Sequence, residues 1–145
     1  MFLPTIQFSL TPWKEAYSQQ VLENSKKMAR LREKFALPIL LDLQSDKSKM
    51  ATLEYGFPAT PSWWVEDGLG MTTNSFEDQY LVGTDLLVVP ILDRGVRLRD
   101  VHFPKGYEWA RIDLDIAEVT EDKFSGTVRD FPIGLYEIGL FYRVK

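Results

Sequence analysis

Residues 86–92, Leu-Leu-Val-Val-Pro-Ile-Leu, constrain the fold more than any other stretch. The run is short, leucine-rich and β-branched, which fits a strand covered on both faces. Pro90 has no N–H to give to a ladder, so it belongs near an edge, at a bulge or at the strand's end. Gly83, just before the run, marks a turn or a close backbone approach.

A chain of 145 residues has room for one ordinary domain or pieces of two. With 45% hydrophobic and 13% aromatic residues it can build a core. A net charge of −4 gives no electrostatic case for nucleic acid or an anionic membrane. No stretch approaches the roughly 18 apolar residues of a membrane span, and the first residues lack the pattern of a signal peptide. There is no cysteine, which rules out disulfides and thiolate zinc sites.

Thr11-Pro12 predicts a helix start, with threonine as cap, proline in the first turn and Glu15 near the positive helix end. Tyr17, Val21, Met28, Leu31 and Phe35 continue it as an apolar stripe. Lys26, Lys27, Arg30, Arg32 and Lys34 crowd the remaining positions. As a functional patch they would suggest an anionic partner; as a solvated face they need none. A second helical segment starts at Leu37, with Pro38 forcing a break or kink, and the polar residues 44–50 end it. Residues 65–75 read as a loop. Asp93-Arg94-Gly95 reads as a hairpin-like turn. Residues 97–104 alternate as a half-buried strand does. Residues 110–119 suggest one more strand, and residues 121–126 a charged turn. His102, the single histidine, is a candidate acid or base. With no partner near it in sequence, it also reads as a plain strand-surface residue.

Residues 77–92, Glu-Asp-Gln-Tyr-Leu-Val-Gly-Thr-Asp-Leu-Leu-Val-Val-Pro-Ile-Leu, resemble a family signature as a whole string. It is the Asp-Gln-Phe-x-x-Gly-x-x-Leu-Leu-Val-Ala-Pro-Val of glycoside hydrolase family 31, the α-glucosidase and α-xylosidase group. Asp78, Gln79, Gly83, Leu86, Leu87, Val88 and Pro90 match. The start is similar to the family's last barrel strand, Phe-x-Pro-x-x-Arg-x-His: Phe2 and Pro4 match, while Gln7 and Ser9 replace the arginine and histidine. This resembles the myogenesis-regulating glycosidase-type branch. Residues 37–43 are similar to the final barrel helix. Residues 56–64 resemble Gly-x-Pro-x-x-Arg-Pro-Leu-Trp, with Gly56, Pro58 and Trp64 matching and Pro61 replacing the arginine. Residues 99–109 are similar to Arg-x-Val-Tyr-Leu-Pro-x-Gly-x-Trp. Residues 131–143 are similar to the closing strand, through Ile138, Phe141 and Arg143.

The resemblance implies an α+β chain. Residues 1–75 would be the last strand and helices of a (β/α)8 barrel, and residues 76–145 the antiparallel β-sandwich domain that follows it. A whole barrel needs about 250 residues, so the chain is expected to be a fragment or a truncated product. The family hydrolyses α-linked sugars with two carboxylates, about 5–5.5 Å apart in retaining enzymes. These carboxylates sit on earlier barrel strands in Trp-x-Asp-Met-Asn-Glu-like and Gly-Asp-Asn-like strings, and neither string occurs here. No catalytic residue, metal ligand or cofactor is therefore assigned, and the chain alone is expected to be inactive. Asp78, the acid most bound to a motif, is expected to brace a turn through backbone amides.

Candidate substrate-binding residues are Gln7 and Ser9 at the barrel strand's exit, and Trp63 and Trp64 as a stacking platform. The plainer readings are surface residues on an edge strand and one core-facing indole. The implied partner is an α-linked saccharide in the intact parent. The alternative is a non-catalytic carbohydrate- or protein-binding module, which would self-associate through an exposed barrel-helix stripe. A third reading is a poorly folding product with unpaired sheet edges.

Overall fold

A computed structural model describes residues 19–45, 59–62, 78–134 and 137–144. Strong helix formers build α1, Gln19–Leu31. Its exposed side is knitted by Gln19 Nε2 donating to Glu23 Oε1 at 3.1 Å and Gln20 Nε2 to Asn24 Oδ1 at 3.3 Å. One wide π-helical turn, Arg32–Ala36, joins α1 to α2, Leu37–Ser45. The Leu37 N–H donates to the Arg32 carbonyl, five residues back. The wide turn lies just ahead of Pro38, which has no N–H and crowds the carbonyl four residues before it. The break expected at Pro38 thus takes the form of a bulge, and the helix runs on through it.

Eight strands follow among the described residues. They are β1 Ala59–Pro61, β2 Tyr80–Val82, β3 Leu86–Val89, β4 Leu98–His102, β5 Trp109–Asp113, β6 Glu118–Phe124, β7 Thr127–Pro132 and β8 Gly139–Arg143. Six form an antiparallel sheet in the order β1-β2-β3-β8-β5-β6, and β4 and β7 pair in a second sheet.

The β3 strand lies at the centre, and all four of its residues are fully buried. Leu86 and Val88 point to the helices, where they meet Leu31, Phe35, Ala36, Val82 and Leu140. Leu87 and Val89 point toward the second sheet, into a core with Val101, Phe103 and Phe131 and with Trp109 and Phe141 of their own sheet. Period-two alternation thus divides one apolar run between two cores. The ring of Phe141 sits 4.9 Å from Phe103 and 5.3 Å from Phe131, edge to face in both cases. Pro90 closes the strand at its end.

The chain is α+β, with a helix layer, a six-stranded sheet and a two-stranded sheet stacked in that order. Several local expectations change. The turn at residues 93–95 does not make a hairpin, because β3 pairs with β2 and β8 while β4 pairs with β7. Residues 110–119 hold the corner of the β5–β6 hairpin and not one strand. Residues 121–124 are strand and not turn. As the outer strand of its sheet, β6 is largely solvated, so it carries charge where a core strand would alternate.

Candidate functional site

The family-like motif residues meet at a polar seam between the two sheets. Gln79 is fully buried. Its Nε2 donates to the His102 carbonyl at 2.9 Å, and its Oε1 accepts from the His102 N–H at 3.0 Å. The side chain thus acts as one rung of a ladder, tying the start of β2 to β4 in the other sheet. Asp78, one residue earlier, takes both arms of Arg99, each at 2.5 Å, and Arg99 Nη1 also donates to the Pro90 carbonyl at 2.6 Å. A bidentate fork fixes direction as well as distance. Asp78 therefore braces the fold through an arginine on β4 and not through backbone amides. The two charges stand 21 residues apart, but each opens its own motif, and that opposite pairing was the available signal.

A second joint lies at the β2–β3 turn. Gly83 has φ +59°, and a Cβ there would meet Ile39 Cγ2 at 2.5 Å. Both readings of Gly83 hold: it turns, and α2 lies against it. Beyond it, Asp85 Oδ1 accepts Arg143 Nη2 at 2.5 Å, and the Arg143 N–H donates to the Asp85 carbonyl at 2.9 Å. The Arg143 guanidinium also lies 4.7 Å from the Tyr107 ring centre.

The helix's basic face is not merely solvated. Lys27 meets Asp115 at 2.5 Å and Lys34 meets Glu118 at 4.0 Å, so part of its anionic complement is the chain's own β5–β6 hairpin. In that hairpin Asp113 Oδ1 accepts the N–H groups of Asp115 and Ile116 at 2.8 and 3.1 Å. Donation from Ile116, then Asp115, with Arg111 and Lys27 nearby, holds the Asp113 carboxyl below the usual aspartate range. Burial pushes the Tyr80 phenol up.

Gln7, Ser9, Trp63 and Trp64 lie outside the described residues. Pro61, at the position of the lost arginine, sits in β1 opposite Tyr80. His102 has a partner that its sequence neighbourhood does not reveal, with Nδ1 2.6 Å from Thr127 Oγ1. Part of the apolar stripe expected to be exposed is covered: Leu31 and Phe35 are buried against the sheet, with Met28 packed beside them, while Tyr17 lies outside the described residues. Among the described residues no three His, Cys, Asp or Glu side chains cluster as metal ligands, and no helix is long and apolar enough to cross a membrane.

A sandwich fastened by motif residues and backed by a helix defines a structural domain of glycosidase type. Residues 47–144 match the Glycosyl hydrolase family 31 C-terminal domain, and the chain belongs to that family. It is 33% identical to the mouse myogenesis-regulating glycosidase over 97% of this chain and 18% of the relative. It is 28% identical to the SITS-binding protein of Tetronarce californica over 99% of this chain and 19% of the relative. The chain therefore spans about a fifth of the length of these curated relatives. Among solved structures, a soil-metagenome α-xylosidase complexed with xylose superposes with a TM-score of 0.67 at 24% identity, covering 94% of this chain and 18% of that one. A Flavobacterium johnsoniae dextranase complexed with glucose gives 0.58 at 26% identity, covering 93% and 15%.

Proposed function

We propose that this chain is the C-terminal support of a longer family 31 glycosidase, which hydrolyses α-linked sugars with retention, and that these 145 residues alone do not turn over substrate. Residues 1–75 correspond to the end of the catalytic barrel and residues 76–145 to the sandwich, with β1 handed from the first segment to the second segment's sheet. The carrying observation is that the two described acids of the signature string are engaged in structure: Asp78 holds Arg99 and Asp85 holds Arg143. An acid clamped by a guanidinium in a packed seam is poorly placed to attack a sugar or pass it a proton. Gln7, Ser9, Trp63 and Trp64 remain the proposed sugar contacts of the intact protein.

The purified chain is expected to release no nitrophenol from nitrophenyl α-glycosides. Release that scales with chain concentration would overturn the inactivity. A longer protein carrying the barrel ahead of this chain is expected to release it with retained anomeric configuration.

A second reading is a non-catalytic carbohydrate- or protein-binding module. One relative is named for binding, not hydrolysis, and the sandwich exposes an aromatic ring at Tyr107. Nucleic acid is not proposed as a partner, since the net charge is −4. With Leu31 and Phe35 of the helix stripe buried, sizing chromatography is expected to give a monomer.

A further inference from the structure

We infer that Tyr107 is a surface platform for a neutral pyranose ring, a saccharide site on the sandwich. Tyr107 follows the tight turn at Gly106, whose φ is +83°. Tyr107 is one of the large hydrophobic residues left exposed among the described residues, at 42%. The Arg143 guanidinium stacks 4.7 Å from the ring centre and covers one face. That guanidinium is itself held by Asp85 at 2.5 Å and by Thr84 Oγ1 at 3.4 Å, and its backbone is tied to Asp85 by the 2.9 Å hydrogen bond. The ring is thereby fixed before any ligand arrives, which lowers the ordering cost of binding. An aromatic ring backed on one side and wet on the other offers an apolar face to the C–H face of a sugar.

Charge narrows the ligand further. Arg143 is neutralised by Asp85, and the neighbouring Glu108 by Lys123 at 3.0 Å. A stacked nucleotide would need a cation for its phosphate, and Arg143 is already taken by Asp85. A neutral polyhydroxylated ring fits the open face, which offers apolar surface and asks for no counter-charge. The choice of a saccharide over other neutral rings rests on the family reading above.

The test uses the 145-residue chain with maltoheptaose and dextran, followed by nuclear magnetic resonance and affinity electrophoresis. The Tyr107 ring protons of the native chain are expected to shift on titration with either α-glucan. Tyr107→Phe is expected to keep the affinity, and Tyr107→Ala to weaken it at least tenfold. Native Tyr107 protons that do not move with either glucan overturn the site, as does undiminished binding by Tyr107→Ala. If Tyr107→Ala loses its fold by circular dichroism, the native ring shifts and the Tyr107→Phe affinity decide. Failure of the glycosidase reading looks different, since a barrel-bearing parent that hydrolyses nothing would leave these ring shifts in place.

Discussion

A methyl group added at position 83 would meet Ile39 Cγ2 at 2.5 Å on a backbone already at φ +59°. The left-handed conformation costs a side-chain-bearing residue about 1–2 kcal/mol, and forcing volume into a packed contact costs about 1–3 more. Gly83→Ala is expected to lose about 2–5 kcal/mol, read as a drop in the urea midpoint. Gly95→Ala, at φ +86° with open space around it, isolates the backbone term and should lose only the smaller share. Asp113 makes a pH-dependent contribution. Its folded pKa is depressed, so its stabilisation is present above the unfolded value of about 3.9 and fades as pH falls through the folded value. Asp113→Asn is expected to melt earlier than the native chain at pH 7, with the gap closing below pH of about 4. A gap that stays constant across melts at stepped pH would remove the carboxylate from the account.

At the scale of elements, the Gln79 rung and the Asp78–Arg99 fork hold two sheets in register. Gln79→Ala removes both hydrogen bonds to the His102 backbone in a part-buried seam, with an expected loss of about 1–3 kcal/mol. Gln79→Glu should be as damaging at neutral pH, because a carboxylate cannot donate to the His102 carbonyl. Arg99→Lys keeps the charge but loses the fork. The pair is only partly covered, with side chains 14% and 25% exposed, so about 1–2 kcal/mol is expected, below the cost of breaking a fully buried pair. Equal chemical-denaturation midpoints for Arg99→Lys and native chain would mean that the fork carries nothing beyond charge.

The legibility of these elements follows from their surroundings. The β3 strand could be read because two-sided burial leaves an unbroken apolar run, and α1 because one-sided burial leaves a helical stripe. The β6 strand could not, because an outer strand with exposed side chains has no pattern that burial would impose. Which strands pair, and that Asp78 reaches Arg99, depends on sequence-distant closure that local periodicity does not encode. The proposed sugar contacts at Gln7, Ser9, Trp63 and Trp64 were legible only through family resemblance, and they lie beyond the described residues.

For the molecule as a whole, the helix layer decides whether the sandwich can stand in water. One face of the six-stranded sheet packs on the two-stranded sheet, and the other, with Val82, Leu86, Val88 and Leu140, is closed by Leu31, Phe35 and Ala36. The ion pairs across this joint are weak fasteners: Asp115 is 79% exposed, and both members of the Lys34–Glu118 pair are largely solvated. Exposed pairs contribute about 0–1 kcal/mol, whereas burying one leucine or phenylalanine contributes about 1.5–3. Docking is therefore apolar, and 1 M salt, which screens exposed charges within about 3 Å, should leave the melting temperature nearly unchanged. Removing residues 1–46 should act very differently, although the family match begins at residue 47. The uncovered sheet face would present a contiguous apolar patch of the kind that drives association. The shortened chain is expected to bind a hydrophobic dye strongly and to elute as aggregate. A monodisperse, dye-silent monomer with the native melting temperature would show that the sandwich closes its own core and that the helices belong to the barrel alone.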